Sequence, residues 1–173
     1  MKKTIFLMML AVAALLTACD KDEAGGTATE SMAGQWYVTV TCVDENKATV
    51  YEDDEFFGLG NFLLLTYNTA DNVADKMWVD DLGNFWEFQV KVDIDQDALT
   101  FTSNGEVANN AYECNVNIWD GQIIYGAATT PSGMPADSIV FYVTFDDDPY
   151  PYYYGFDSYK VSGFRYTGFD ADD

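Results

Sequence analysis

From Trp36 to Cys42 the chain alternates without a break. Trp36, Val38, Val40 and Cys42 fall on one side, and Tyr37, Thr39 and Thr41 on the other. A period of two belongs to a half-buried β-strand, apolar inside and tolerant outside. The pattern returns at 85–93, where Trp86, Phe88, Val90 and Val92 oppose Glu87, Gln89, Lys91 and Asp93. Further strands are expected at 62–67, 76–80, 98–103, 111–119, 138–145 and 159–167. In the fourth of these Tyr112, Cys114, Val116 and Ile118 face inward. Asp120-Gly121 reads as a two-residue hairpin turn, because a type I′ turn needs positive φ at both positions. That turn sets Ile118 opposite Ile123 and gives Ile123, Tyr125 and Ala127 the inward face. The stretch 146–156 is acidic, then aromatic, and reads as a loop broken by Pro149 and Pro151. After residue 18 no stretch keeps a helical period for three turns. Roughly nine short strands with tight turns make a sandwich or a barrel. Sequential hairpins favour an all-β fold, an antiparallel up-and-down β-barrel of about eight to nine strands, with room inside for side chains or one small ligand.

The N-terminus is set apart from this pattern. Lys2 and Lys3, an apolar run from Ile5 to Leu16, and a small-residue end make residues 1–18 a secretory signal. The apolar run is shorter than the roughly 20 residues a spanning helix needs. Leu16-Thr17-Ala18-Cys19 resembles the bacterial lipoprotein box. The resemblance implies cleavage before Cys19 and acylation of that cysteine, several acyl chains making a stable anchor. Asp20-Lys21-Asp22-Glu23 looks like the surface-export signal of bacteroidete-type lipoproteins, so an outer-membrane, surface-exposed location is expected. Residues 19–31, small and polar with Gly25-Gly26, form a flexible tether. The domain is expected over 32–173.

The formal net charge of −21 sets the chain against nucleic acid and anionic headgroups. With Cys19 given to the anchor, Cys42 and Cys114 remain. An exported protein permits a disulfide between them, and two buried thiols are the alternative.

Gly34-Gln35-Trp36 at the start of the first strand resembles the G-x-W signature of lipocalin-like, or calycin, barrels. The resemblance implies that Trp36 plugs one end of the barrel while a basic residue from the last strand packs across it. Arg165 is the sole arginine, and the guanidinium-over-indole contact contributes about 0.5 to 2 kcal/mol. Four segments carry a wider resemblance: 34–38, Met77-Trp78-Val79-Asp80-Asp81, 130–137 and 160–169. They are similar to the bacteroidete family labelled "lipid-binding putative hydrolase". This implies a lipocalin-like barrel that holds an apolar ligand. The "hydrolase" half of the label brings no motif that maps onto these residues.

No histidine is present, which removes Ser-His-Asp and Cys-His catalysis and His-based zinc sites. No G-x-S-x-G elbow appears. No catalytic residue, cofactor or metal is therefore expected. Asp93-Ile94-Asp95-Gln96-Asp97 alternates acids like a calcium loop, but Ala98 and Asn104 stand where that loop needs Gly and Glu. A solvated turn is the better reading. The expected walls for an apolar small molecule or lipid are Trp86, Phe88, Val90, Tyr112, Phe141 and Val143. Phe56, Phe57, Tyr152 and Tyr154 are expected at the mouth. A second reading gives the exposed tyrosines to glycan contact or to an outer-membrane assembly, with no cavity.

Overall fold

A computed structural model describes residues 26–172, so the signal, Cys19 and the acids after it lie outside the described residues. The strands are β1 (Gly34–Val43), β2 (Thr49–Glu52), β3 (Phe62–Asn68), β4 (Lys76–Asp80), β5 (Gln89–Asp95), β6 (Thr100–Thr102), β7 (Glu106–Ala108), β8 (Asn115–Thr129), β9 (Pro135–Phe145) and β10 (Ser158–Arg165). Two short helices, α1 (Asp53–Phe56) and α2 (Tyr150–Tyr154), follow β2 and β9. Eight strands close a ring in the order β1-β3-β4-β5-β6-β8-β9-β10, with every pair antiparallel and β10 returning to β1. β2 and β7 pair outside the ring, on β1 and β8. The fold is an up-and-down barrel.

The closing seam runs from Trp36↔Arg165 to Val43↔Ser158. Gly163 sits opposite Val38 in that seam, and a Cβ there would lie 2.0 Å from the Tyr37 carbonyl oxygen. Only a residue without a side chain lets the two backbones come this close. Inside, Trp36, Val38, Val40, Leu64, Met77, Val79, Val90, Ile118, Ile139, Phe141, Val143 and Val161 are all at most 1% exposed. Phe141 meets Phe101 at 5.7 Å and Phe88 at 6.5 Å between ring centroids, so side chains from facing strands meet across the axis.

One end of the barrel is plugged. The Arg165 guanidinium lies 4.3 Å from the Trp36 ring centroid. It donates to Asp137 at 3.0 Å and to the Ala33 carbonyl at 2.9 Å. The Trp36 indole N–H donates to Thr66 Oγ1, which donates in turn to the Met32 carbonyl. The glycine of the G-x-W signature has a local reason, since a Cβ at Gly34 would sit 2.3 Å from the guanidinium. Residues 27–32 form a turn against this end, with Thr29 and Met32 fully buried and Gln96 donating to the Ala28 carbonyl.

Four local expectations are corrected. Asp120-Gly121 is not a hairpin turn: β8 runs straight through it as a bulge, and the register with β9 shifts between Trp119 and Gln122. Asp120 does take a positive φ of 49°. The extra residue switches the alternation once, which lets Ile118 and Ile123, five apart, both point inward. Gly121 is needed because the Phe101 ring occupies the place of a Cβ, at 2.4 Å. Tyr125, expected inward, is 54% exposed and donates to the Ser31 carbonyl. The strand expected from Phe85 starts only at Gln89, for a reason given below. Finally, 150–154 is a helical turn rather than a loop, with proline in its first turn and Gly155 in the left-handed conformation at its end (φ 73°).

An aromatic cleft at the barrel mouth

The end opposite Trp36 is built by β1, β3, β8, β9 and β10 where they meet α1, α2 and the segment 81–88. The organiser of that segment is Asp81, which is fully buried. Its Oδ2 accepts the backbone N–H groups of Phe85 (3.0 Å), Trp86 (2.8 Å) and Glu87 (3.0 Å). Its Oδ1 accepts those of Gly83 (2.9 Å) and Phe88 (2.8 Å). A carboxylate that gathers these donors takes the place of a neighbouring strand. Glu87 has a φ of 52°, outside the extended region that regular strand pairing needs, and β5 begins at Gln89. The result aims Phe85 and Trp86 at the mouth.

Tyr159 of β10 stands at the centre of the mouth, fully buried. Phe156, Phe85, Phe57 and Phe145 surround it at 5.0, 5.1, 5.7 and 6.2 Å. Its hydroxyl donates to Asp148 at 2.5 Å. Burial, with Asp148 adding to it, pushes the Tyr159 phenol up. Burial also raises Asp148, opposed by that hydroxyl and by the Tyr150 N–H. Trp86 stacks on Phe145 at 5.1 Å and donates to Asp147, which also accepts the Tyr112 hydroxyl. These rings close the barrel from above.

Outside this layer the two short helices form a cleft. Tyr51, Glu55, Phe56, Phe57, Tyr150 and Tyr154 line about 470 Å³. Phe56 is its hub, edge-on to Phe57 (4.5 Å), Tyr154 (5.0 Å) and Tyr150 (6.0 Å), with Tyr51 at 5.3 Å. The Tyr51 hydroxyl donates to the Tyr154 carbonyl and ties β2 to α2. Tyr152 and Tyr153 project beyond the cleft, 87% and 71% exposed.

The expected ligand walls divide accordingly. Phe88, Val90, Phe141 and Val143 do face inward, but they are at most 1% exposed and pack as core. The space that a stored molecule needs between them is taken up by their own side chains. Trp86 and Tyr112 lie outside that core, at the rim, both bonded to Asp147. Tyr154 walls the cleft, and Tyr152 stands outside it. Trp36 and Arg165 meet at the other end. Cys42 and Cys114 are separate free thiols, so the disulfide is not formed. Cys42 ends β1 beside Asp148 and Asp53, while Cys114 precedes β8 beside Asn109.

Burial pushes the Cys42 thiol up to about 12, with Asp148 and Asp53 adding to it, which is the reverse of nucleophile activation. Two acids of the 93–97 turn are committed to the fold: Asp93 pairs with Lys76 and Asn104, and Asp95 accepts the N–H groups of Asp97 and Ala98. Cys114, Asp146 and Asp147 bring possible ligand atoms within 4.8 Å of one another. Asp146 is already held by Asn115, and Asp147 by Trp86 and Tyr112.

Compared with known proteins, residues 21–170 match the family described as "Lipid-binding putative hydrolase". The chain belongs to this family. A search of curated proteins finds no match. The family description and the closed barrel together support a lipid-binding role. Sequence reasoning set Phe56, Phe57 and Tyr154 at the mouth, where they wall the cleft, but found neither Asp81 nor the helical turn of α2. The signals were present, as an Asp two residues before a Gly and a Pro-to-Gly span of helical length, but both also fit ordinary turns.

Proposed function

We propose that this domain binds a small lipid-like molecule without chemical turnover. The site is the cleft between α1 and α2, and the barrel interior serves as its support. The observation that carries this reading is the solvent-open wall of Tyr51, Phe56, Phe57, Tyr150 and Tyr154 above a filled core. Aromatic walls with a few polar tips suit an apolar chain and hold it without conformational cost. The anchor is Cys19, acylated after removal of 1–18, holding the domain at the outer-membrane surface. Mass spectrometry of the native protein tests the ligand: a retained amphiphile that is lost in Phe56→Ala supports the reading, and retention unchanged by that substitution opposes it. Metabolic labelling with palmitate tests the anchor, which Cys19→Ala should abolish together with membrane attachment.

The exposure of Tyr152 and Tyr153 favours a second reading, in which the α2 face contacts glycans or a neighbouring subunit. Binding to a glycan array that is lost in a Tyr152→Ala, Tyr153→Ala double variant would select it.

A further inference from the structure

The cleft has a charge character that the family description does not address. Its single ionisable acid is Glu55, exposed on α1, whose carboxylate has no hydrogen-bond or ion-pair partner among the described residues. No Lys or Arg is among the residues that wall it. Of the described cations, Lys47 pairs with Asp120, Lys76 with Asp93, Lys91 lies over Trp78 and Arg165 over Trp36, while Lys160 stands on β10 opposite Thr41 and is not part of the cleft wall. The flanks are acidic on both sides. Asp53 and Asp54 share α1 with Glu55, and 146–148 lead into α2. A carboxylate headgroup placed here would meet Glu55 and no cation of the wall. A phosphate monoester would fare worse.

The aromatic rings point the other way. A ring face is the negative end of a quadrupole and attracts a poorly hydrated cation. Five rings beside one unpaired carboxylate is the chemistry that recognises a quaternary ammonium, with the rings taking its methyl groups and the carboxylate its charge. A long alkyl chain would then lie along Phe56 and Phe57.

Resting on the cleft reading above, we propose that the site selects amphiphiles with a cationic, quaternary-ammonium head, and that Glu55 is the residue that sets this preference. The test uses three probes of one chain length below their micellar concentrations in 150 mM salt: dodecyltrimethylammonium, monododecanoylglycerol and dodecanoate. Titration calorimetry of the purified protein should rank the cation about tenfold tighter than the neutral glyceride, and the glyceride tighter than the carboxylate. Glu55→Gln should bring the cation close to the glyceride. Asp120→Asn removes an equal charge elsewhere on the barrel wall and should leave the ranking intact. Equal binding of all three probes would overturn the selectivity while leaving the cleft reading standing. An equal effect of Asp120→Asn and Glu55→Gln would mean attraction to the overall charge, and would likewise overturn it. Binding of none of the three would remove the cleft reading itself.

Discussion

Replacing Asp81 by alanine should cost more than any other single surface-loop change in this chain. The carboxylate accepts the N–H groups of Gly83, Phe85, Trp86, Glu87 and Phe88 at 2.8 to 3.0 Å. Phe88 is 1% exposed, so its donor is left without a partner, at about 1–3 kcal/mol. The other four belong to residues that are half-buried or exposed, and water can reach them. Each then loses only the net worth of a bond, about 0.5–1 kcal/mol. The total is about 3–7 kcal/mol, which for a domain of this size lowers the melting temperature by roughly 10–20 °C. Asp81→Asn keeps one carbonyl acceptor in the same shape and should fall between wild type and alanine. Denaturant unfolding followed by tryptophan fluorescence measures both. A loss below about 1 kcal/mol for Asp81→Ala would refute the claim that this side chain holds the mouth segment in place of a strand.

Gly163→Ala should destabilise by about 3 kcal/mol or prevent folding, because its Cβ meets the backbone of β1; circular dichroism melts check it, and a neutral result would mean the closing seam is looser than described. Arg165→Ala should cost about 2 kcal/mol, and Arg165→Lys should recover only part of it, since an ammonium cannot both cover the indole and reach Asp137 and Ala33; full recovery by lysine in the same melts would contradict the planar contact. Asp53 is buried, and burial raises it, with the Gly60 N–H opposing the shift and Asp54 adding to it. A carboxyl raised in the folded state holds its proton longer there than in the unfolded chain. Its contribution is thus greatest below the unfolded value of about 4 and is lost as pH rises through the folded value. Asp53→Asn should therefore gain on wild type as pH rises from about 4 to 7, and a difference independent of pH in melts across that range would contradict the assignment.

The ring of strands could be read from the sequence because inward positions alternate strictly where backbone pairing is regular, as in β1 from Trp36 to Cys42 and in β9 from Ile139 to Phe145. Trp36 and Arg165 could be paired because Gly34-Gln35-Trp36 resembles a signature that implies a basic residue across the indole, and Arg165 is the sole arginine. The reading failed where a side chain or a missing one replaced the ladder. Asp81 consumes N–H groups that alternation assigns to a strand, and the period-two pattern of 85–88 hides it. Gly121 looks like a turn residue, but it is there to admit the Phe101 ring. The interior was read as a container because inward-facing apolar residues look alike whether they line a space or fill it. Only the volumes of Phe88, Phe101 and Phe141 meeting across the axis decide that, and alternation carries no information about what stands opposite.

The central claim is that the apolar ligand sits on the mouth and not within the barrel. Intermolecular nuclear Overhauser contacts between a bound dodecyl chain and the methyl- and aromatic-labelled protein test it most directly. Contacts to Phe56, Phe57, Tyr150 and Tyr154 are the predicted result. Contacts to Val90, Ile118, Phe141 and Val143 would place the chain on the barrel axis and contradict the account.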